Sequence, residues 1–280
     1  MSPKARKPPW APITAHGNNA LCAERKYTCQ KGSSMKISVG PILYYWPRQK
    51  VQDFYTEMVK TPAEIIYLGE TVCAKRRELR NSDWLELARQ LGDSGKQIVI
   101  STLALIESRA DIKALQKLCA QSHCLVEAND MAAVQILVEN NLPFVAGASI
   151  NIYNAHSLNI LYKKGMQRWV MPVELSRESL ADILQDAGRM GFADSIETEV
   201  FSYGKLPLAY SARCFTARAK NLAKDNCKLS CIEFPDGLAV HSQALHSQAL
   251  QNSTNAPQLF TINGIQTQSG KSYNLLDQSQ

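Results

Sequence analysis

The chain has 280 residues, 45% of them hydrophobic, enough to bury a large core as one big domain or two ordinary ones. Its net charge of +6 is concentrated in the first 34 residues, where Lys4, Arg6, Lys7, Arg25, Lys26 and Lys31 face a single acid, Glu24. The remainder is close to neutral, which argues against a nucleic-acid surface, and no apolar run suits a membrane span or a secretory signal.

Residues 1–34 are proline-rich, basic and without periodicity, and read as a disordered N-terminal extension, with Met35 the natural start of the folded domain, 35–280. Cys22 and Cys29 fall in the extension and are set aside as ligands. "MKISVGPILYYW" then reads as the first strand, with Tyr44, Tyr45 and Trp46 packing along it. "EIIYLGE" is a second strand, followed by a helix in "SDWLELARQLGDSG" that places Trp84, Leu87, Ala88 and Leu91 on one face. Ser82 or Asp83 can cap its start and Gly92 can end it. "QIVISTLAL" is a buried strand and "ADIKALQKLCAQ" the next helix. "CLVEAND", "MAAVQILVENN", "PFVAGASINIYN", "AHSLNILYKKG", "RWVMPVELS", "RESLADILQDAGRMG" and "SIETEVFSYG" carry the alternation to a seventh strand. Parallel β/α units in such an unbroken series predict an α/β fold, a TIM-like (β/α) barrel rather than an open doubly wound sheet. No GxGxxG or GxxxxGK[ST] follows any strand, so nucleotide-binding versions lose support. Near the end, "HSQALHSQAL" repeats five residues in tandem between His241 and Leu250 and reads as a surface-loop insertion before the strand-like "QLFTINGI". A metal site on His241 and His246 is disfavoured, because a spacing of five does not share a helical face.

Three of the eight cysteines, Cys214, Cys227 and Cys231, lie within one basic stretch after the seventh strand. In a barrel, function sits at the C-terminal ends of the strands, and that rule sorts the rest. Cys73 follows the second strand closely and shares the functional face. Cys119 falls at helical spacing with Ile112 and Leu115 as a core thiol, and Cys124 begins its strand at the opposite end. The predicted ligand group is therefore Cys73, Cys214, Cys227 and Cys231, in a cytosolic chain whose thiols stay reduced. Structural zinc favours pairs of short knuckles, whereas only Cys227 and Cys231 form one here. Scattered thiolates suit an iron–sulfur cluster better. Zinc, or thiols with no common role, stay open on spacing alone. Lys75, Arg76, Arg77, Arg213 and Arg218 are near in sequence and would offset the charge of a four-thiolate cluster.

"SVGPILYYWP", "IYLGETVCAKRR", "GKQIVISTLAL", "NLPFVAGASINIYNA", "RWVMPVELSR", "EVFSYGKLPLAYSARCFTAR" and "FTINGIQTQSG" together resemble the ubiquinone-biosynthesis UbiV branch of the collagenase-like peptidase family of barrel proteins. The resemblance runs from about Met35 to the end of the chain. It implies a [4Fe–4S] cluster on Cys73, Cys214, Cys227 and Cys231 and a heterodimer with a homologous UbiU-type subunit. It also implies support of dioxygen-independent ring hydroxylation with prephenate as oxygen donor. A lipid-carrier protein presenting quinone precursors is a further implied partner. Members labelled peptidases carry "HGALC"-like residues after the "E-V-F" stretch, where this chain has "SYGKLP", with Tyr203 and Pro207 in place of His and Cys. There is no HExxH and no placed Ser/His/Asp set, so the hydrolytic reading is weak. A zinc-stabilised barrel scaffolding a catalytic partner is the rival. Family members continue beyond "SGKSYNLLD", so the barrel is expected to be incomplete at its C-terminus and prone to aggregation without its partner.

Glu127, Asn129, Asn151, Asn154 and Glu174 fall near strand ends and would line the barrel mouth. They would serve there for substrate or partner binding or proton transfer, or simply as helix caps and loop hydrogen bonders.

Overall fold

The computed structural model describes residues 35–121, 123–204, 210–212 and 214–237. Seven strands alternate with six helices: β1 (Ser38–Val39), α1 (Arg48–Met58), β2 (Ile65–Leu68), α2 (Asn81–Gly92), β3 (Gln97–Ser101), α3 (Arg109–Gln121), β4 (Leu125–Ala128), α4 (Met131–Glu139), β5 (Phe144–Ala146), α5 (Ala155–Lys163), β6 (Met166–Val170), α6 (Arg177–Arg189) and β7 (Glu197–Glu199). A short helix α7 (Phe215–Ala219) and 3₁₀ turns at Lys224–Asn226 and Ser230–Glu233 follow. All seven strands are parallel and pair in sequence order, β1 to β7. This is the predicted α/β, TIM-barrel-like architecture.

The strand sequences explain why both faces of the sheet are covered. Parallel strands are buried on both sides and therefore read as continuous apolar runs, as "IIYL" and "QIVIS" do. Outward residues Ile66, Leu68, Ile98, Ile100, Val126, Phe144 and Trp169 pack under the helices with Val51, Tyr55, Trp84, Leu87 and Leu158. Inward residues Ile65, Tyr67, Val99 and Val145 form a second, smaller cluster inside the curl.

The sheet curls until its first and last strands meet through inward side chains. Ser38 on β1 donates its hydroxyl to Glu199 Oε1 on β7 at 2.5 Å, and Lys36 Nζ reaches Glu197 at 3.2 Å. The two backbones do not pair. Contact between inward side chains without backbone pairing is the relation of alternate strands in an eight-stranded barrel, whose interior layers come from alternate strands. Among the described residues no eighth strand lies between them. The strand-like "QLFTINGI", the tandem repeat with His241 and His246, and the extension 1–34 with Cys22 and Cys29 lie outside the described residues.

Charge closes the floor of the barrel. Arg168, 2% exposed, donates from Nε to Glu197 Oε2 at 2.8 Å, from Nη1 to Tyr67 Oη at 3.1 Å and from Nη2 to Gln97 Oε1 at 2.6 Å. Tyr67 in turn donates to Glu199 Oε2 at 2.6 Å. One guanidinium thus links β2, β3, β6 and β7, and burial, followed by the negative charge of Glu199, pushes the Tyr67 phenol far above its usual range.

Three local readings need correction. The first strand is only two residues long, because Gly40 and Pro41 interrupt it, and Tyr44, Tyr45 and Trp46 follow it in a loop. They still pack, with Tyr44 and Trp46 stacked at 6.1 Å and Trp46 edge-on to Phe54 at 5.7 Å. Helix α1 adds an element to the expected series, and Val51, Phe54, Tyr55 and Met58 carry its helical spacing. Finally, α2 ends at Gly92 as expected but begins at Asn81, and Asp83 sits in its first turn, accepting the Arg80 N–H at 2.8 Å.

Candidate functional site

Loops at the C-terminal ends of the strands carry the cysteines of the predicted group. The first follows β2. Its entry is Gly69, with φ +140°, where a Cβ would stand 2.4 Å from the Ser101 carbonyl oxygen. Glycine is therefore required for the chain to pass so close to β3. Glu70 then accepts the backbone N–H groups of Val72 at 2.9 Å and Cys73 at 3.1 Å, and Arg76 N–H donates to Cys73 O at 3.0 Å. The turn that presents Cys73 is thereby tied at both sides. Arg76 is buried, donates to Leu43 O at 3.0 Å and lies over the Tyr45 ring at 5.7 Å.

The second element begins at Cys214, the N-cap of α7, whose sulfur accepts the Ala217 N–H at 3.4 Å. Burial is the largest effect on this thiol and raises its pKa. The backbone N–H groups of Ala217 and Thr216 oppose that, and Cys73 and Cys227 raise it further. Cys214 thus lies within electrostatic reach of Cys73 and Cys227, although Cys73 is distant in sequence. Cys227 closes the turn Lys224–Asn226, and Cys231 is buried in Ser230–Glu233, where it raises the pKa of Tyr45 along with burial and Glu78.

Polar ties draw these loops together. Lys75 Nζ donates to Lys224 O at 2.6 Å, joining the Cys73 loop to the turn before Cys227. Lys224 Nζ reaches Glu107 Oε2 at 2.6 Å, and the Trp46 indole donates to Pro235 O at 2.7 Å. Between Cys227 and Cys231 both Lys228 and Leu229 adopt left-handed backbone at φ 52°. Non-glycine residues resist that conformation by about 1–2 kcal/mol each, so two in succession store strain at a ligand-like turn. Beside them Ser230 Oγ is buried with no hydrogen-bond partner among the described residues. Thiols are ligands of soft metal centres, and Ser230 directly precedes Cys231. The thiols share one face, and among the described residues no three His, Cys, Asp or Glu side chains close to a coordination sphere.

The other cysteines lie where their positions in the alternation put them. Cys119 is 1% exposed in the core, its pKa raised to about 11 by burial. Cys124 immediately precedes β4, at the opposite end. Of the nearby cations, Lys75 and Arg76 are engaged as above, Arg77 and Arg218 are exposed, and Arg213 lies outside the described residues. Tyr203 is 96% exposed and Pro207 lies outside the described residues.

The five mouth residues divide sharply. Asn154 caps α5, accepting the Ser157 N–H at 2.9 Å. Asn151 is exposed, with φ 59°, at the end of the 3₁₀ turn Ala148–Ile150. Glu174 is exposed and accepts from the Tyr153 phenol at 3.3 Å. Only Glu127 and Asn129 are buried, each 7% exposed, and Asn129 Nδ2 donates to Glu127 Oε2 at 3.0 Å. Residues missed in the sequence are Asp130, which caps α4, and Tyr210, whose phenol lies beside Thr71 within electrostatic reach of Glu127 and Glu70.

A family model described as "Peptidase family U32" matches residues 51–234, more than half of the chain and all four cysteines of the group. The chain belongs to peptidase family U32. Among solved structures, this U32 protein is similar to an L-Ala-D/L-Glu epimerase at 13% identity and TM-score 0.39, over 63% of this chain and 51% of that one. A mandelate racemase/muconate lactonizing protein from Paracoccus denitrificans matches at 13% identity and TM-score 0.43, over 61% and 47%. Dihydropteroate synthase (FolP) from Thermus thermophilus matches at 12% identity and TM-score 0.38, over 70% and 79%. The U32 chain spans about half the length of the first two. Likenesses this slight decide nothing about its chemistry. Among the described residues no helix is long and apolar enough to cross a membrane.

Proposed function

We propose that this U32 protein is a UbiV-type iron–sulfur subunit that supports dioxygen-independent ring hydroxylation in ubiquinone biosynthesis. Cys73, Cys214, Cys227 and Cys231 each supply one thiolate to a [4Fe–4S] cluster. When bound, that cluster supplies electron or oxygen transfer to the ring chemistry. A homologous UbiU-type subunit completes the heterodimer, prephenate is the oxygen donor, and a lipid-carrier protein presents the quinone precursor.

The observation that carries this reading is the meeting of loops from opposite ends of the sheet: Lys75 ties the Cys73 loop to the turn before Cys227, and Cys214 lies within electrostatic reach of both Cys73 and Cys227. Helix α7 and the turn holding Cys231 pack together beside them. Chance thiols have no reason to converge on the one face where barrel proteins keep their sites. This chain's own residues hold the loops in register through Glu70, Lys75, Lys224 and Trp46. Lys75 and Arg76 bring positive charge to a site that four thiolates make negative, which raises a cluster's potential.

The test is anaerobic purification with the homologous subunit, followed by iron, acid-labile sulfide and zinc per chain. About four irons and four sulfides are expected from a four-thiolate [4Fe–4S] site. One zinc without sulfide would instead identify a structural site and a scaffolding role.

A further inference from the structure

A second arrangement, which the cysteine centre does not use, occupies the barrel mouth. Glu127 projects from the inner face of β4, where Ser101 on β3 and Val145 on β5 are its register neighbours. Its carboxylate meets an amide that has no freedom. Asn129 Nδ2 donates to Thr102 O at 3.1 Å as well as to Glu127 Oε2, while the Ser149 hydroxyl lies 2.6 Å from Asn129 O and 3.0 Å from Oδ1. Thr102 Oγ1 accepts the Asn129 N–H at 3.0 Å and donates to Glu127 O at 2.9 Å, clamping the end of β4 to β3. The amide is thus locked with a donor toward the carboxylate. Gly147 leaves the space for this pair, since a Cβ there would stand 1.9 Å from Asn129 Oδ1 and 3.0 Å from Glu127 Oε1.

A buried, unpaired carboxylate is costly, and a glutamine of the same shape would keep the Asn129 contact while removing the charge. Arg168, a guanidinium within electrostatic reach of Glu127, spends hydrogen bonds on the floor. The groups that face Glu127 are Ser101 and Tyr67 from β3 and β2, Arg168 and Glu199 from β6 and β7, and Tyr210 from the stretch leading to Cys214. Burial pushes the Glu127 pKa up to about 7, against the Ser101 hydroxyl and Asn129 amide, which favour the ionised form. Glu199 raises it and Arg168 lowers it. Ser101, 1% exposed, directs its hydroxyl to the same carboxylate from the neighbouring strand.

We infer that the barrel mouth is a proton-exchange site, in which Glu127, positioned by Asn129, passes a proton to or from an oxygen atom of a small hydroxyl- or carbonyl-bearing ligand. In the donating direction the Glu127 O–H bond breaks and the ligand O–H bond forms, and the carboxylate left behind is held by Asn129 Nδ2. The accepting direction is the reverse, and no electrons move in either. Tyr210 links this mouth to the loop of Cys73, because its phenol lies beside Thr71 and within reach of Glu70 and Arg76. The inference rests on the ring-hydroxylation reading for its reaction and not for its geometry.

The test compares the full chain with its Glu127→Gln variant, each prepared with the homologous subunit. Three readouts are taken: iron and sulfide content, hydroxylation rate against pH, and the infrared band of the protonated carboxyl through a pH titration. Unchanged iron and sulfide, a loss of hydroxylation of about 100-fold or more, and a carboxyl band that fades near pH 7 and is missing from the variant are expected. A variant hydroxylating within a few-fold of the parent, or a Glu127 ionised throughout the neutral range, overturns the inference. Parent protein without iron and sulfide overturns the reading of the cysteine centre instead, and the titrating band then decides the mouth by itself. Asn129→Ala separates positioning from chemistry: it should push the titration upward while leaving Glu127 able to exchange its proton.

Discussion

At the floor of the barrel Arg168 divides its guanidinium among Tyr67, Gln97 and Glu197, whereas at the mouth Glu127 is held by neutral groups, the Asn129 amide and the Ser101 hydroxyl. Both are polar groups on the inner face of one sheet, and both are buried. The floor is satisfied by opposite charge and hydrogen bonds, so it ties strands together. The mouth keeps a carboxyl whose charged and neutral forms lie close in free energy. A buried charge that is fully paired reads as architecture, and one held near neutrality reads as chemistry. The cysteine loops extend the contrast, with strained turns and a Ser230 hydroxyl that has no partner among the described residues.

The comparison breaks first, and most completely, at the cysteines. Cys214→Ala should abolish iron and sulfide binding while the barrel still melts cooperatively, as followed by metal analysis and circular dichroism.

At the floor, Arg168→Met strands Glu197 and Glu199 without their cation. Partial exposure of both carboxylates moderates the penalty, and a loss of about 3 kcal/mol in urea unfolding is expected. Glu127 sharpens the contrast because its effect has a pH signature. Its pKa is raised from 4.5 to about 7, so the folded chain takes up a proton. The stability this confers is full below about pH 4.5 and is lost as pH rises through about 7. The loss amounts to about 3 kcal/mol. Glu127→Gln should show no such decline, so the parent-minus-variant difference in unfolding free energy should fall across that window. Equal pH profiles would contradict the assignment.

Smaller effects follow. Gly147→Ala drives a methyl into the Asn129 amide and should cost about 1–3 kcal/mol by overpacking. Trp46→Phe removes the indole donor to Pro235 O and should cost about 1 kcal/mol, read as a lower melting temperature.

The alternation of apolar runs and amphipathic segments makes most of the sheet legible, because parallel strands covered on both faces leave unbroken runs such as "IIYL". The same logic separates Cys119 and Cys124 from the cysteines of the functional face. Helix α1 is harder to see because its apolar residues follow an aromatic run that looks like strand, and only the Gly40–Pro41 break shortens that strand. The floor could have been read from "ETE" in β7 and from Arg168 in β6, since charged residues at alternate positions of a buried strand must face each other inside a barrel. The difference between Glu127 and Glu174 is beyond reach of the sequence, because it depends on which strand-end residue turns inward and on a glycine, Gly147, one strand away.

The central claim is most directly tested by iron, acid-labile sulfide and zinc content of anaerobically purified parent protein and its Cys73→Ala variant. About four irons and four sulfides per parent chain, with both lost in the variant, is the predicted result. Metal content untouched by the removal of Cys73, or zinc without sulfide in the parent, would contradict it.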